Sequence, residues 1–140
     1  MSKPSASIGL TWTEGLAFDV RTADGRSIVT DGASKAGLSP VELLAAATAA
    51  CMGVDLVHIL TKARQPIEGL QVIFTGERAP SEPRRLTAVR LEFAIDGAVG
   101  EAQVDRALQL SRDKYCSVWN SLREDITLDI VTSIHAGSAR

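Results

Sequence analysis

The sequence predicts an α+β protein with antiparallel sheets, on three observations. One long apolar helical pattern covers residues 39–63, runs of alternating apolar residues lie on both sides of it, and turn-forming residues punctuate those runs. At 140 residues and 45% hydrophobic content the chain has the size of a single domain, residues 1–140, and enough apolar material for a core. The net charge of −2 without a basic stripe, and only three Phe, two Trp and one Tyr as stacking platforms, argue against nucleic acid as a partner.

In order, residues 6–12 place Ala6, Ile8, Leu10 and Trp12 at the period of a half-buried strand. Residues 13–15 turn the chain into a second alternation, Leu16, Phe18 and Val20, so the two strands are expected to form a hairpin. Asp24-Gly25 is a turn signal, and a third short strand over residues 27–30 completes a meander. Residues 31–38, rich in Gly, Ala and Ser, form a loop into the long helix.

That helix has a marked start. Ser39 is the N-cap, Pro40 takes the first helical position where its missing N–H costs nothing, and Glu42 completes a capping box. Leu43, Leu44, Met52, Val54, Leu56, Val57, Ile59 and Leu60 cover most of its circumference, which predicts a helix buried nearly all round. The uncharged run between Glu42 and Asp55 is about a dozen residues, short of the roughly 20 a bilayer needs, so a core helix and no membrane are expected. Ala45, Ala46, Ala47, Ala49, Ala50 and Gly53 allow close approach of a neighbour. A chain this size has difficulty covering every side of such a helix, and a homodimer is the economical solution.

After Pro66, Leu70, Val72 and Phe74 alternate, residues 80–83 break the chain, and Val89, Leu91, Phe93 and Ile95 alternate in turn, giving a second antiparallel hairpin. Val104, Ala107, Leu108 and Ser111 have helical spacing within a second helix expected over residues 101–114. A short helical turn over residues 119–122 and a last strand with Ile126, Leu128 and Ile130 finish the order.

Chemistry centres on two cysteines, Cys51 inside the long helix and Cys116 just past the second. The opening MSKPSAS has no apolar core of a secretory signal, so a cytoplasmic chain with free thiols or a transient redox pair is expected. No metal site is expected, because Cys51, Cys116, His58 and His135 lack close ligand pairings. On an ideal helix Asp55 lies one turn and His58 two turns beyond Cys51. A histidine would favour the thiolate and an aspartate would oppose it, leaving a reactive thiol and a core filler both open for Cys51. Glu42 points away from Cys51 and is explained by the cap. For Cys116, Lys114 and the start of the following helical turn would favour a thiolate, and packing explains the residue equally well.

The segments SPVELLAAATAAC (residues 39–51) and LSRDKYCSVWNSL (residues 110–122), together with the element order, resemble the OsmC/Ohr family of osmotically inducible and organic hydroperoxide resistance proteins. The resemblance implies an intertwined homodimer, with antiparallel sheets wrapped around long central helices and sites at the subunit interface. It implies a cysteine-based, thiol-dependent reduction of organic or hydrogen peroxides in oxidative stress. Cys51 would be the peroxidatic thiol and Cys116 the resolving one, with a dithiol as reductant and no bound cofactor. Peroxidase members carry a glutamate directly after the helix-starting proline and an arginine in the turn before a GR…DG segment. Here those positions are Val41 and Ala23. Arg21, two residues earlier on a strand, is the substitute expected in catalysis, and Val41, Glu42 and Asp55 are the expected substrate-binding residues. In these positions the sequence is nearer the less characterised OsmC-like branch that keeps KYCSV. The alternatives to the enzyme are a non-catalytic dimer binding a small apolar or thiol ligand, and a thiol redox sensor.

Overall fold

The structure, a computed structural model, describes residues 4–136. Residues 1–3, part of the segment read for a secretory signal, lie outside the described residues. The chain forms two compact units, Met1–Leu44 and Ala45–Arg140.

In the first unit, β1 (Gly9–Glu14), β2 (Ala17–Arg21) and β3 (Ser27–Asp31) form the expected antiparallel meander. The register pairs Trp12 with Phe18 and Arg21 with Ser27. Pairing begins at Gly9 rather than residue 6 and continues through an irregularity after Trp12 to Glu14, where the Trp12 indole N–H donates to the Gly15 carbonyl at 2.9 Å. β1 is not half-buried as its alternation predicts. Leu10 and Trp12 are 56% and 62% exposed, so the alternation marks an apolar face without fixing what covers it.

The loop after β3 is held by one side chain. Asp31 accepts backbone N–H bonds from Ala33, Lys35 and Ala36 at 2.8, 3.2 and 2.9 Å, which hold its carboxyl below the usual value. Gly37 is required at the end of this loop, because a Cβ there would stand 2.2 Å from the Val29 carbonyl oxygen. The capping box follows as expected. Ser39 N–H donates to Glu42 Oε1 at 2.9 Å and Glu42 N–H to Ser39 Oγ at 3.2 Å, opening α1 (Pro40–Lys62).

In the second unit α1 buries one stripe, Thr48, Met52, Leu56 and Leu60, at i, i+4 spacing. Met52, Leu56 and Leu60 have no exposed surface, and burial of each such side chain contributes about 1.5–3 kcal/mol. Gly53 faces β4 (Ile67–Arg78), where an added Cβ would meet Val72 Cγ2 at 3.6 Å and Leu70 Cδ2 at 3.8 Å. The helix is not buried all round. Ala46, Ala47 and Ala50 are exposed, as are Val54 (65%) and Val57 (40%). By length and composition α1 also differs from expectation, since its 23 residues contain an 18-residue window with a mean hydropathy of 1.9, long and apolar enough to cross a bilayer. Its buried stripe and the hydrogen bond made by Asp55 to another segment of the unit mark it as a core helix.

The second sheet has the order β4–β5–β6, with β5 at Leu86–Gly97 and β6 at Thr127–His135. Val89, Leu91, Phe93 and Ile95 of β5 are buried, as their alternation predicts. β4 and β5 are antiparallel, whereas β6 runs parallel to β5, correcting the expectation of purely antiparallel sheets. The reason lies in the connection. A long helical crossover returns the chain to the same end of the sheet, which a tight hairpin does not. That crossover holds α2 (Glu101–Leu110), a π-helical turn (Ser111–Tyr115) and a 3₁₀ turn (Trp119–Ser121). The second helix therefore stops short of residue 114 as an α-helix and widens, closing with a 2.7 Å bond from Cys116 N–H to the Ser111 carbonyl. π-turns of this kind recur at functional sites.

Candidate active site

The widened turn sets the position of Cys116. Its N–H is held by Ser111, and its carbonyl accepts the backbone N–H and the side-chain Nδ2 of Asn120 at 3.0 and 2.9 Å. Its Sγ accepts the Trp119 N–H at 3.3 Å. Both cysteines are free thiols, Cys51 half-buried and Cys116 without exposed surface. Burial pushes the Cys116 thiol up to about 11, the Trp119 N–H acts in the opposite direction, and the neighbouring Cys51 thiol and Asp55 charge raise it further. The start of the 3₁₀ turn thus favours a Cys116 thiolate as expected, but burial outweighs it. Lys114 does not serve the sulfur, because its Nζ lies over the Tyr115 ring, 5.3 Å from the centroid.

Asp55 lies one turn beyond Cys51, and its Oδ2 accepts a 2.7 Å hydrogen bond from the Ser111 hydroxyl. Ser111 is fully buried, so this bond satisfies both a buried hydroxyl and a half-buried carboxylate. The second unit therefore brings together Cys51, Asp55, Ser111 and Cys116. Ser111 is the residue sequence reading missed. It stood only as a helical-spacing position, although an aspartate in the middle of an apolar helix signals that a polar partner is required.

His58 is not part of this group. It is exposed and lines a groove of about 830 Å³ with Ala50, Gly53, Val54 and Val57 of α1 and Leu70 and Val72 of β4. The other expected site residues belong to the first unit. Arg21 is exposed, with its Nε 2.7 Å from Asp19 Oδ2. Ala23 sits exposed in the β2–β3 turn, Val41 is half-buried, and Glu42 is engaged in the cap. Among the described residues no three His, Cys, Asp or Glu side chains are grouped to hold a metal ion.

The family model described as OsmC-like protein matches residues 31–131. Protein YhfA of Escherichia coli K12 is 38% identical over 119 residues, covering 84% of this chain and 89% of YhfA. A hypothetical protein from Aquifex aeolicus VF5 shares the fold with a TM-score of 0.89 and 27% identity, covering 97% of this chain and 100% of that one. The organic hydroperoxide resistance protein OhrB of Bacillus subtilis superposes with a TM-score of 0.64 at 17% identity, over 92% of this chain and 98% of its own, a likeness of fold alone.

Proposed function

Because the chain belongs to the OsmC-like protein family, we propose that it is a thiol-dependent reductase of organic or hydrogen peroxides, with Cys51 as the attacking thiol and Cys116 as the resolving one. The observation that carries this reading is the pair of neighbouring free thiols, Cys51 half-buried and Cys116 enclosed. The Cys51 thiolate attacks the terminal peroxide oxygen, the O–O bond breaks, and the alcohol or water leaves with the substrate proton. Cys51 is left as a sulfenate, which takes a proton from water to become the sulfenic acid. Cys116 then displaces water from it to form the disulfide, and a dithiol returns both thiols. Burial of Cys116 suits it to the second step, since a thiol with no exposed surface does not meet peroxide from outside.

The protein acts in the cytoplasm as a homodimer. The exposed Val54 and Val57 and the groove beside them support a partner on this face.

A second reading is a dimer that binds an apolar or thiol-bearing ligand without turnover. It is favoured by the Asp55 charge beside the thiols and by the high Cys116 value, neither of which helps a thiolate form. Peroxide-dependent oxidation of dihydrolipoamide separates the two. The reductase reading expects turnover that Cys51→Ser abolishes, and a wild-type rate no greater than that of Cys51→Ser leaves the binding reading.

A further inference from the structure

Joining the two cysteines requires a proton to leave Cys116, whose thiol is enclosed. We propose that Asp55 is the general base for disulfide formation between Cys116 and Cys51, and that Ser111 is the positioning residue that holds its carboxylate in place. This deepens the reductase reading and rests on it only in taking the disulfide as part of the cycle.

The geometry supports the assignment from three sides. Asp55 follows Cys51 by one helical turn, so its carboxylate and the Cys51 sulfur leave α1 on the same side. Ser111 donates to Asp55 Oδ2 at 2.7 Å while its own carbonyl takes the Cys116 N–H at 2.7 Å, so one fully buried residue ties the carboxylate to the backbone of the resolving cysteine. The bond to Ser111 uses Oδ2, and Oδ1 makes no hydrogen bond among the described residues. The Asp55 charge reaches Cys116, where it disfavours a standing thiolate. Deprotonation is thereby deferred to the moment of attack, which is the situation a general base serves.

The step balances. The Cys116 S–H proton passes to Asp55 as the Cys116 sulfur forms the S–S bond with Cys51. The S–O bond of the sulfenic acid breaks, and the departing hydroxide takes the proton from Asp55 as water. Cys51 sulfenic acid is reduced, the Cys116 thiol is oxidised, and the carboxylate is regenerated.

A nitroaryl disulfide tests this without peroxide. The reduced protein releases one coloured aryl thiolate when Cys51 forms the mixed disulfide and a second when Cys116 attacks it, the proton of Cys116 passing through Asp55 to solvent. In Asp55→Asn, which keeps an acceptor for Ser111, the first release is expected to keep its rate or quicken, and the second to slow tenfold or more. Ser111→Ala is expected to slow the second release by a smaller factor, with the rate restored in Ser111→Thr. A second release in Asp55→Asn as fast as in wild type overturns the proposal. If Asp55→Asn does not fold, an unslowed second release in Ser111→Ala does the same. Because the reagent replaces peroxide, a slowed second release stands even where dihydrolipoamide turnover is absent, so the two readings fail separately.

Discussion

The Ser111 hydroxyl donates a 2.7 Å hydrogen bond to the Asp55 carboxylate, joining the middle of α1 to the first residue of the π-turn that carries Cys116. Removing the hydroxyl leaves a half-buried carboxylate without this partner. Ser111→Ala is expected to cost about 1–3 kcal/mol in urea unfolding.

The Cys116 thiol gives the protein a pH dependence at high pH. Its ordinary value is 9.0 and its folded value about 11, so between them the unfolded chain has released a proton that the folded chain retains. Stability is therefore full below 9.0 and falls as the pH rises through this window. Urea unfolding on either side of the window is expected to show this loss in wild type and a smaller one in Cys116→Ala.

Glu42 closes the capping box that opens α1. With its carboxylate and the Ser39 hydroxyl each taking a backbone N–H, Ser39→Ala and Glu42→Ala are each expected to cost about 1 kcal/mol. Thermal unfolding measures that cost, and thiol reactivity at Cys51 is expected to stay at the wild-type rate in both.

Gly53 lies inside α1 with room for one methyl group, because an added Cβ makes ordinary contacts with Val72 and Leu70. Gly53→Ala is expected to raise stability by about 0.5–1 kcal/mol through helix propensity, and Gly53→Leu to lower it by pushing α1 from β4. Denaturant midpoints of the two variants decide this.

The exposed face of α1 predicts association. A charge at Val54, 65% exposed in the single chain, costs little in the monomer and is expected to break a dimer built on this face. Light scattering of Val54→Lys against wild type is expected to show the loss of one copy.

Much of the fold was legible because local patterns coincide with it. The period-2 run Val89, Leu91, Phe93 and Ile95 is buried as β5, and the Ser39–Glu42 box opens α1 where its residues say it should. The direction of β6 was not legible, since its alternation is the same whether it runs parallel or antiparallel to β5. The π-turn was also hidden, because helical spacing through Ser111 does not reveal that the backbone closes five residues on, at Cys116. The exposure of Val54 and Val57 escaped for a related reason. Apolar content on a helix shows what can be buried, and a single chain need not bury it all. For the site, the two cysteines and Asp55 stood out by residue type, whereas the Asp55–Ser111 bond joins segments whose approach only the folded chain displays.

In the reductase reading, Cys51 and Cys116 together give two electrons to a peroxide. A single equivalent of an organic hydroperoxide added to the fully reduced protein tests it most directly, with free thiols counted and peptides mapped by mass spectrometry. The reductase reading predicts one alcohol formed, both thiols lost in each chain, and a Cys51–Cys116 disulfide in the peptide map. Intact hydroperoxide with both thiols still titratable contradicts it.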